Sequence, residues 1–335
     1  EYAKQFTVDV CAGGYDLITI DGSRYLVVPA GAAAPANLDA DITVLQQPIQ
    51  NIYLVSSSAM DPILSIGGLG AVALSGTQAE NWYLDAARTA MEQGEIAYAG
   101  KYSAPDYETI LSADCGLAIE NTMIYHTPEV KEQLEKFGVP VLVERSSYES
   151  DPLARMEWVK LYGILLGKTE EAERVFDDAV QRIAPLLDEE PTGKTAAFFS
   201  ITSNNLATVR KGGDYVAKMI ELAGGSYVFA DLTDSGSNLA TVNISLEDFY
   251  AGARDADVLL YNSTIEGELR TMDELLAKCP MLADFKAVQS GNVWCTSQSL
   301  FQQSMELPDL ILDMNKVFTE GTPNANELKF LTKLQ

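Results

Sequence analysis

The sequence contains one histidine, His126, among 335 residues. Ser-His-Asp catalysis needs an imidazole at a defined place, and a bare zinc or manganese site needs several histidines together with carboxylates. The phosphate and dinucleotide motifs are absent as well: there is no G-x-x-x-x-G-K, and no G-x-G-x-x-G opens a helix after a strand. These absences make an enzyme the alternative interpretation and a non-catalytic protein the preferred one.

Cysteine is scarce, and the four cysteines are far apart with no C-x-x-C spacing. This pattern argues against a cysteine-based zinc site and against a dense disulfide framework. We expect free buried thiols, with a Cys279–Cys295 bridge as the weaker alternative.

Basic residues are few: 23 lysines and arginines stand against 48 aspartates and glutamates, which gives a net charge of −25. A surface of this charge repels phosphate backbones and anionic membranes, so we expect no nucleic acid partner. We expect the acidic side chains to form a solvated surface.

No apolar run has the length and continuity of a membrane span. The most apolar window, Ile52 to Gly76, is interrupted by a serine triplet, by Asp61-Pro62 and by several glycines. The chain begins at Glu1 without a methionine, so we expect that a targeting segment preceded it.

The stretch from Asp151 to Leu187 has the pattern of a long helix with one break at Gly167-Lys168. After the break, apolar residues recur at helical spacing with charged residues on the opposite side. This apolar stripe consists of Ala172, Val175, Phe176, Ala179, Val180, Ile183, Leu186 and Leu187. We predict that residues 151–190 form a helical connection between two lobes.

Residues 1–50 precede these lobes and read as short strands at Phe6–Val10, Tyr15–Ile20 and Tyr25–Val28. The last two are separated by Asp21-Gly22, a strong signal for a tight hairpin. We predict an accessory β-meander that packs on the first lobe.

Strands and helices alternate on both sides of the connection, which predicts α/β lobes with mainly parallel, Rossmann-like sheets at 51–150 and 191–335. In the first lobe the predicted strands are Ile52–Val55, Val72–Leu74, Cys115–Ile119 and Val141–Val143, and the helices are Ala59–Ile66, Asn81–Met91, Tyr107–Leu111 and Glu129–Phe137. In the second they are strands Thr195–Phe199, Val258–Tyr261 and Val293–Cys295, and helices Tyr215–Ala223, Leu246–Ala251, Met272–Ala277 and Leu307–Phe318.

Several segments in a fixed order resemble the substrate-binding proteins of ABC importers that carry iron-siderophores, cobalamin or haem. They are Asn51 to Ser58, Pro105 to Leu111, Phe137 to Val141, Leu165 to Glu173, Ile244 to Asp248 and Ala256 to Leu260. The resemblance covers about residues 50 to 320. It implies two α/β lobes joined by one rigid helix, no catalysis, and no cofactor beyond the bound ligand.

The resemblance also implies partners and a location. One glutamate on each lobe, Glu108 and Glu247, would pair with arginines of the permease, which works with an ATPase. A glutamate at a helix start has a simpler use in complementing the helix dipole, but the paired occurrence favours docking. We expect a monomer outside the cytoplasm, periplasmic or lipid-anchored at the cell surface. An adhesion or signalling protein on the same fold remains open.

Parallel sheets bind ligands at the carboxyl ends of their strands, so the cleft between two such lobes should collect those loops. The candidate ligand-binding residues are Ser57, Ser58, Lys101, Tyr102, Asn121, Tyr148, Arg155, Arg210, Asn262 and Trp294, and the loop with Ser237 and Asn238 belongs to the same set. Aromatic walls with neutral donors and a few cations suit an anionic iron chelate such as a ferric siderophore. Corrinoid and haem stay as alternatives, because Met123, Tyr125 and His126 follow a predicted strand end.

Overall fold

The computed structural model describes residues 1–233, 240–321 and 323–335. The chain forms two compact units. Unit 1 comprises Glu1–Glu149, Leu153–Asp178 and Gln302–Met305, and unit 2 comprises Ser150–Pro152, Ala179–Phe301 and Glu306–Gln335. The predicted α/β class with mainly parallel sheets and an N-terminal sheet is confirmed. No helix of the described residues combines the length and the apolar character that crossing a bilayer requires.

The N-terminal accessory sheet has four strands in the order β1 Phe6–Cys11, β2 Tyr15–Ile20, β3 Ser23–Val28 and β4 Ile42–Gln46. The first three form the predicted antiparallel meander, whereas β4, which was not predicted, joins β3 in parallel. Asp21 and Gly22 have φ angles of 49° and 81°, as a two-residue hairpin turn with both central residues left-handed requires. The Tyr25 hydroxyl donates to the Val141 carbonyl over 3.0 Å, which ties this sheet to the rest of unit 1.

The main sheet of unit 1 is parallel throughout, with the strand order β11-β10-β5-β6-β7. Its strands are β5 Ile52–Leu54, β6 Val72–Ser75, β7 Ala97–Tyr98, β10 Ala118–Glu120 and β11 Val141–Val143, and a separate antiparallel pair is formed by β8 Gly100–Lys101 and β9 Ala104–Pro105. The helices that follow its strands are α1 Met60–Ser65, α2 Asp85–Glu92, α3 Tyr107–Ser112 and α4 Pro128–Lys136. One buried apolar cluster on this sheet, including Tyr53, Val130 and Leu134, packs strands against helices.

The predicted long helical segment consists of α5 Pro152–Leu166 and α6 Thr169–Ile183, and a 3-10 turn extends α6 to Asp188. The break falls at Gly167, whose φ is 66°, as the sequence predicted. Five members of the apolar stripe are buried, namely Ala172, Phe176, Ala179, Ile183 and Leu186. Leu187 is 52% exposed, because it lies in the 3-10 turn and no longer follows the α-helical spacing. The chain passes from unit 1 to unit 2 within α6.

Unit 2 has a seven-stranded sheet with the order β15-β13-β12-β16-β17-β18, and β14 pairs with β12. The strands are β12 Thr195–Ile201, β13 Ala207–Arg210, β14 Ser226–Tyr227, β15 Thr241–Ile244, β16 Val258–Tyr261, β17 Val293–Thr296 and β18 Leu331–Lys333. The helices are α7 Tyr215–Leu222, α8 Leu246–Ala253, α9 Ser263–Glu266, α10 Met272–Lys278, α11 Lys286–Gln289 and α12 Leu307–Glu320. The predicted strands are the parallel centre of the sheet, whereas the unpredicted β13, β15 and β18 pair antiparallel.

All four cysteines are free, so the alternative of a Cys279–Cys295 bridge is wrong. Cys115, Cys279 and Cys295 are buried, as expected, whereas Cys11 is exposed on β1. Burial raises the pKa of Cys295 to about 11, which keeps this thiol protonated and unreactive at neutral pH.

The contact between α5 and α6 depends on Gly163. A Cβ atom at this position would lie 2.5 Å from the Cβ of Ala172 and 3.0 Å from the Lys168 carbonyl oxygen. We predict that Gly163→Ala lowers the free energy of unfolding by about 1–3 kcal/mol, because the overpacking outweighs the higher helix propensity of alanine. Urea denaturation measures the change.

The double variant Gly163→Ala/Ala172→Gly should recover part of that loss, because it removes the closest clashing atom. Ala172→Gly alone is the matched control for the lost methyl group. A Gly163→Ala protein as stable as the wild type would contradict the close packing of the two helices.

Candidate functional site

Three neighbouring strands of unit 1 end at the same edge of its sheet. Strand β5 leads into a 3-10 turn at Ser57–Ala59, β10 into one at Thr122–His126, and β11 into one at Ser146–Tyr148. Because β11, β10 and β5 are adjacent and parallel, these loops lie side by side. The edge therefore brings together Ser57, Ser58, Asn121 and Tyr148 from the predicted set.

A buried carboxylate, Glu144, connects two of these loops. One of its oxygens accepts hydrogen bonds from the Ser56 and Ser58 hydroxyls at 2.9 and 3.0 Å, and the other accepts from the Ser146 backbone N–H at 2.7 Å. Glu144 is 2% exposed. Charge-assisted hydrogen bonds of this kind are stronger than neutral ones, so Glu144 fixes the serine loop relative to the loop after β11.

Arg155 extends this network from α5. Its guanidinium Nη1 donates to the Ser146 carbonyl over 3.2 Å, and the residue is 6% exposed. Two glutamates near Arg155 in sequence accept hydrogen bonds from the N-terminal segment. Glu149 accepts from the backbone N–H groups of Lys4 and Gln5, and Glu157 accepts from those of Tyr2 and Ala3. Arg155 thus binds the backbone of the loop after β11 at Ser146 and stabilises that loop.

Two asparagines of the predicted set occupy equivalent places in the two units. Asn121 follows β10 and accepts from the Met123 N–H at 2.9 Å, and Asn262 follows β16 and accepts from the Thr264 N–H at 3.2 Å. Each side chain thereby caps the helical turn that comes next. Within the described residues, the amide NH₂ group of Asn121 has no hydrogen-bond partner and remains for a ligand, whereas Asn262 is only 4% exposed.

An arginine that was not predicted, Arg145, lies between two tyrosines at this edge. Its guanidinium carbon lies 4.8 Å from the centroid of the Tyr148 ring and 5.9 Å from that of Tyr125. Tyr125 is 45% exposed, and Met123 in the same turn is 44% exposed. This group presents aromatic, thioether and cationic surface together, as a flat anionic ligand needs.

Lys101 and Tyr102 lie at a distance from that group. They follow β7, which is four strand spacings of about 4.8 Å from β11 in the sheet. Lys101 is exposed on β8, and Tyr102 packs partly against the unit 1 core. The unit 1 edge therefore has two separate groups of candidate residues.

In unit 2, Arg210 does not lie at the carboxyl edge where we expected it. It ends β13, which runs antiparallel to β12, so it faces the middle of β12 and not its carboxyl end. The guanidinium lies 4.8 Å from the Phe301 ring centroid and 3.6 Å from Asp214, and the residue is 7% exposed. Strand β13 was not predicted from the sequence. Arg210 was therefore placed at the carboxyl edge of the sheet, where a loop was expected.

Trp294 is also enclosed. It lies within β17 with no exposed surface, and its indole N–H donates to Asn292 at the amino end of the strand over 2.8 Å. The group that does stand at the carboxyl end of β17 is Thr296, whose hydroxyl oxygen accepts from the Ser263 N–H at 3.1 Å. Ser237 and Asn238 lie outside the described residues.

The two expected docking glutamates are alike in position. Glu108 is the second residue of α3, after the N-cap Asp106, and Glu247 is the second residue of α8, after the N-cap Ser245. Both side chains are exposed. Neither forms an ion pair or hydrogen bond to another side chain within the described residues, so both carboxylates are available to a partner.

Glu120, the last residue of β10, is a buried acid without a partner. It has no exposed surface, and neither of its carboxyl oxygens has a hydrogen-bond partner within the described part of the chain. It lies near the hydroxyls of Tyr53 and Tyr107. Burial raises the pKa of Glu120 from its ordinary 4.5 to about 8, so the side chain is a neutral acid at neutral pH.

Sequence reasoning missed Glu120, Glu144 and Arg145, although a signal for each was present. Glu120 ends the apolar run before Asn121, and Glu144-Arg145 directly follows the apolar run Val141–Val143. Charged residues that end a buried parallel strand stand at the edge where ligands bind, so they belong among the candidates.

We predict that Glu120 makes the protein less stable as the pH rises from about 4.5 to 8. In that range the unfolded side chain is ionised while the folded one still binds a proton, so the folded state loses relative stability with each unit of pH. The full difference corresponds to about 5 kcal/mol at 1.36 kcal/mol per unit. Denaturant titrations at pH 5 and pH 8 measure the larger part of this difference.

Glu120→Gln keeps the shape without the ionisation, and its loss of stability between these two pH values should be smaller than that of the wild type by several kcal/mol. Equal pH dependence in the two proteins would show that Glu120 is not held in its neutral form.

Comparison with known proteins agrees with this architecture. The sequence profile described as "Periplasmic binding protein" matches residues 55–300, which is more than half of the chain. An uncharacterized lipoprotein of Methanocaldococcus jannaschii is 25% identical over 333 residues, covering 94% of this chain and 77% of that protein.

Solved structures show the same fold. The periplasmic haem-binding protein HutB of Vibrio cholerae superposes with a TM-score of 0.64 at 18% identity, over 82% of this chain and 99% of its own. A protein of the ABC-type Fe3+-hydroxamate transport system of Saccharomonospora viridis superposes with a TM-score of 0.61 at 18% identity, over 81% of this chain and 94% of its own. The chain belongs to the periplasmic binding protein family, the non-enzymatic substrate-binding components of ABC importers, as its sequence resemblance indicated.

Proposed function

We propose that this protein captures an iron chelate of the ferric-siderophore class outside the cytoplasm and delivers it to an ABC permease and its ATPase. The observation that carries the proposal is the group formed by Met123, Tyr125, Arg145 and Tyr148 at the carboxyl edge of the unit 1 sheet. The group presents the Arg145 guanidinium beside two tyrosine rings; Nη1 is ion-paired with Asp21 over 2.6 Å, and Nη2 has no hydrogen bond within the described residues. It suits the negative, conjugated surface of a metal chelate.

The surrounding residues have defined roles in this proposal. Ser57, Ser58 and the amide group of Asn121 supply neutral hydrogen bonds to the ligand, and Tyr148 supplies an aromatic wall. Arg155 supports the loop after β11, and Lys101 with Tyr102 forms a second contact area. We leave Arg210, Asn262 and Trp294 out of the ligand contacts, because all three are enclosed within unit 2.

The relatives support the transport role. The Saccharomonospora viridis protein is named for Fe3+-hydroxamate transport and HutB for haem binding, so haem is the second candidate ligand. The exposed side chains of Met123 and Tyr125 support haem as this second candidate, because thioether and phenolate groups ligate haem iron. The lipoprotein name of the Methanocaldococcus jannaschii relative supports attachment at the outer face of the membrane.

A thermal-shift screen tests the ligand class. Ferric ferrioxamine, ferric enterobactin, hemin and cobalamin are compared with the two iron-free siderophores. A true ligand at a thousandfold excess over its Kd stabilises the protein by about 4 kcal/mol, which raises the unfolding midpoint by several degrees. We expect a ferric siderophore to do so, and its iron-free form to do so much less.

A shift with hemin or cobalamin alone would replace the iron-siderophore assignment by that ligand. No shift with any of the four would contradict the proposal that this site binds a metal chelate.

The docking role of Glu108 and Glu247 is tested by Glu108→Ala and Glu247→Ala. We expect each to weaken binding to the permease–ATPase complex reconstituted in nanodiscs by at least about tenfold, because it removes one charged partner of an interface pair. Ligand affinity should not change. Binding is measured by surface plasmon resonance.

Glu129→Ala is the matched control, because Glu129 is also an exposed second residue of a helix, α4, in unit 1. If Glu129→Ala weakens binding as much as Glu108→Ala does, the two proposed docking positions are not specific.

A further inference from the structure

The tip of the accessory-sheet hairpin lies next to the group formed by Tyr125, Arg145 and Tyr148 in unit 1. Strands β2 and β3 pair up to Ile20 and Ser23, which leaves Asp21 and Gly22 as the two turn residues. The left-handed φ angles at both residues fix the direction in which the Asp21 side chain leaves the turn. The hairpin therefore places one carboxylate at a defined point.

That carboxylate binds Arg145. Asp21 Oδ2 accepts from Arg145 Nη1 over 2.6 Å, and Gln5 Oε1 accepts from Arg145 Nε over 3.2 Å. Both acceptors belong to the N-terminal segment, whereas Arg145 follows β11 of the main sheet. Exposed ion pairs contribute little to stability, but the Arg145 side chain is only 14% exposed, so this pair is shielded on one side.

The same contacts set the orientation of the guanidinium between its aromatic neighbours. Arg145 Nη1 also donates to the Tyr125 hydroxyl over 3.0 Å, and the guanidinium lies over the Tyr148 ring. Nε and Nη1 are thus both engaged. Nη2 has no hydrogen bond within the described residues, so its two N–H groups remain for another acceptor.

The accessory sheet is held firmly enough to act in this way. Its first residues are bound by buried carboxylates, since the Lys4 and Gln5 N–H groups donate to Glu149 and those of Tyr2 and Ala3 donate to Glu157. Tyr25 adds the hydrogen bond to the Val141 carbonyl. The accessory sheet is therefore anchored to the loop after β11, to α5 and to β11 itself.

We propose that the accessory sheet is part of the ligand site, with Asp21 as a positioning residue that aims the free Nη2 of Arg145 at an anionic group of the bound chelate. This inference rests on the proposed function and adds a specificity determinant to it. A ligand with carboxylate or catecholate oxygens at its edge matches the two remaining donors.

The test uses the full chain and ferric enterobactin, an anionic chelate, with ferric ferrioxamine, a cationic one, as the comparison probe. Kd is measured by quenching of tryptophan fluorescence for the wild type, Asp21→Asn, Arg145→Gln and the double variant. We expect Asp21→Asn to weaken the binding of the anionic chelate about tenfold, the size of one charge-assisted hydrogen bond. Binding of the cationic chelate should change much less.

If Asp21 acts through Arg145, Asp21→Asn causes no further loss when Arg145 is already glutamine. Asp41→Asn is the matched control, because Asp41 also forms an ion pair in the accessory sheet, with Arg24 at 2.6 Å, but does not contact Arg145. We expect Asp41→Asn to change Kd by less than about twofold. Thermal unfolding of each variant verifies that it is folded, and Gln5→Ala offers a second way to release Arg145.

Three outcomes overturn the inference. Asp21→Asn and Gln5→Ala could both bind like Asp41→Asn, the effect of Asp21→Asn could persist in the Arg145→Gln background, or the loss could be equal for both chelates. These results leave the proposed function intact, because the wild type still binds. A wild type that binds neither these probes nor hemin overturns the proposed function and this inference together.

Discussion

Buried carboxylates that accept backbone N–H groups are the interaction on which much of this structure depends. A buried N–H group without an acceptor is costly, and irregular segments have no sheet or helix to supply one. In unit 1, Glu144, Glu149 and Glu157 provide acceptors for the loop after β11 and for the N-terminal segment. In unit 2, Asp313 accepts from three consecutive N–H groups, those of Lys329, Phe330 and Leu331. The acidity of the chain is therefore not only a solvated surface, as its composition suggested.

The same interaction explains how the candidate ligand-binding edge of unit 1 keeps its form. Ser56, Ser58 and Ser146 belong to loops separated by about 90 residues, yet one carboxylate binds all three. A site for a large ligand needs loops with little freedom, because ordering them on binding would reduce the affinity. Here the loops are already bound to one another, which agrees with a protein that captures its ligand without chemical change.

The sequence was sufficient to predict the parallel centre of each sheet, the break at Gly167 and the hairpin at Asp21-Gly22. These features depend on local signals: buried strands are continuous apolar runs, and turns need particular residues. The sequence did not reveal β13, β15 or β18, because short antiparallel strands such as Ala207–Arg210 carry mixed polarity and depend on a partner strand for stability. The wrong placement of Arg210 followed from this.

The site itself was predictable as a set of loops but not as a set of contacts. Strand ends identify Ser57, Asn121 and Tyr148, but whether a side chain is free depends on distant residues that no local pattern encodes. Asn121 and Asn262 serve as helix caps, and Trp294 binds Asn292 inside the sheet. Glu120 shows the opposite case, since a charged residue in the sequence becomes a neutral acid once it is enclosed.

The hairpin of the accessory sheet limits how such a chain can change during evolution. A homologue without that sheet would leave its arginine at position 145 without the Asp21 and Gln5 acceptors, and one extra residue in the turn would withdraw the carboxylate that now binds it. We therefore expect homologues to keep or lose the accessory sheet together with the arginine at position 145. Loops at the amino ends of the strands carry no such constraint, so their lengths can vary. Transplanting residues 51–150 alone into a relative would carry over Arg145 without the two side chains, Gln5 and Asp21, that bind it here.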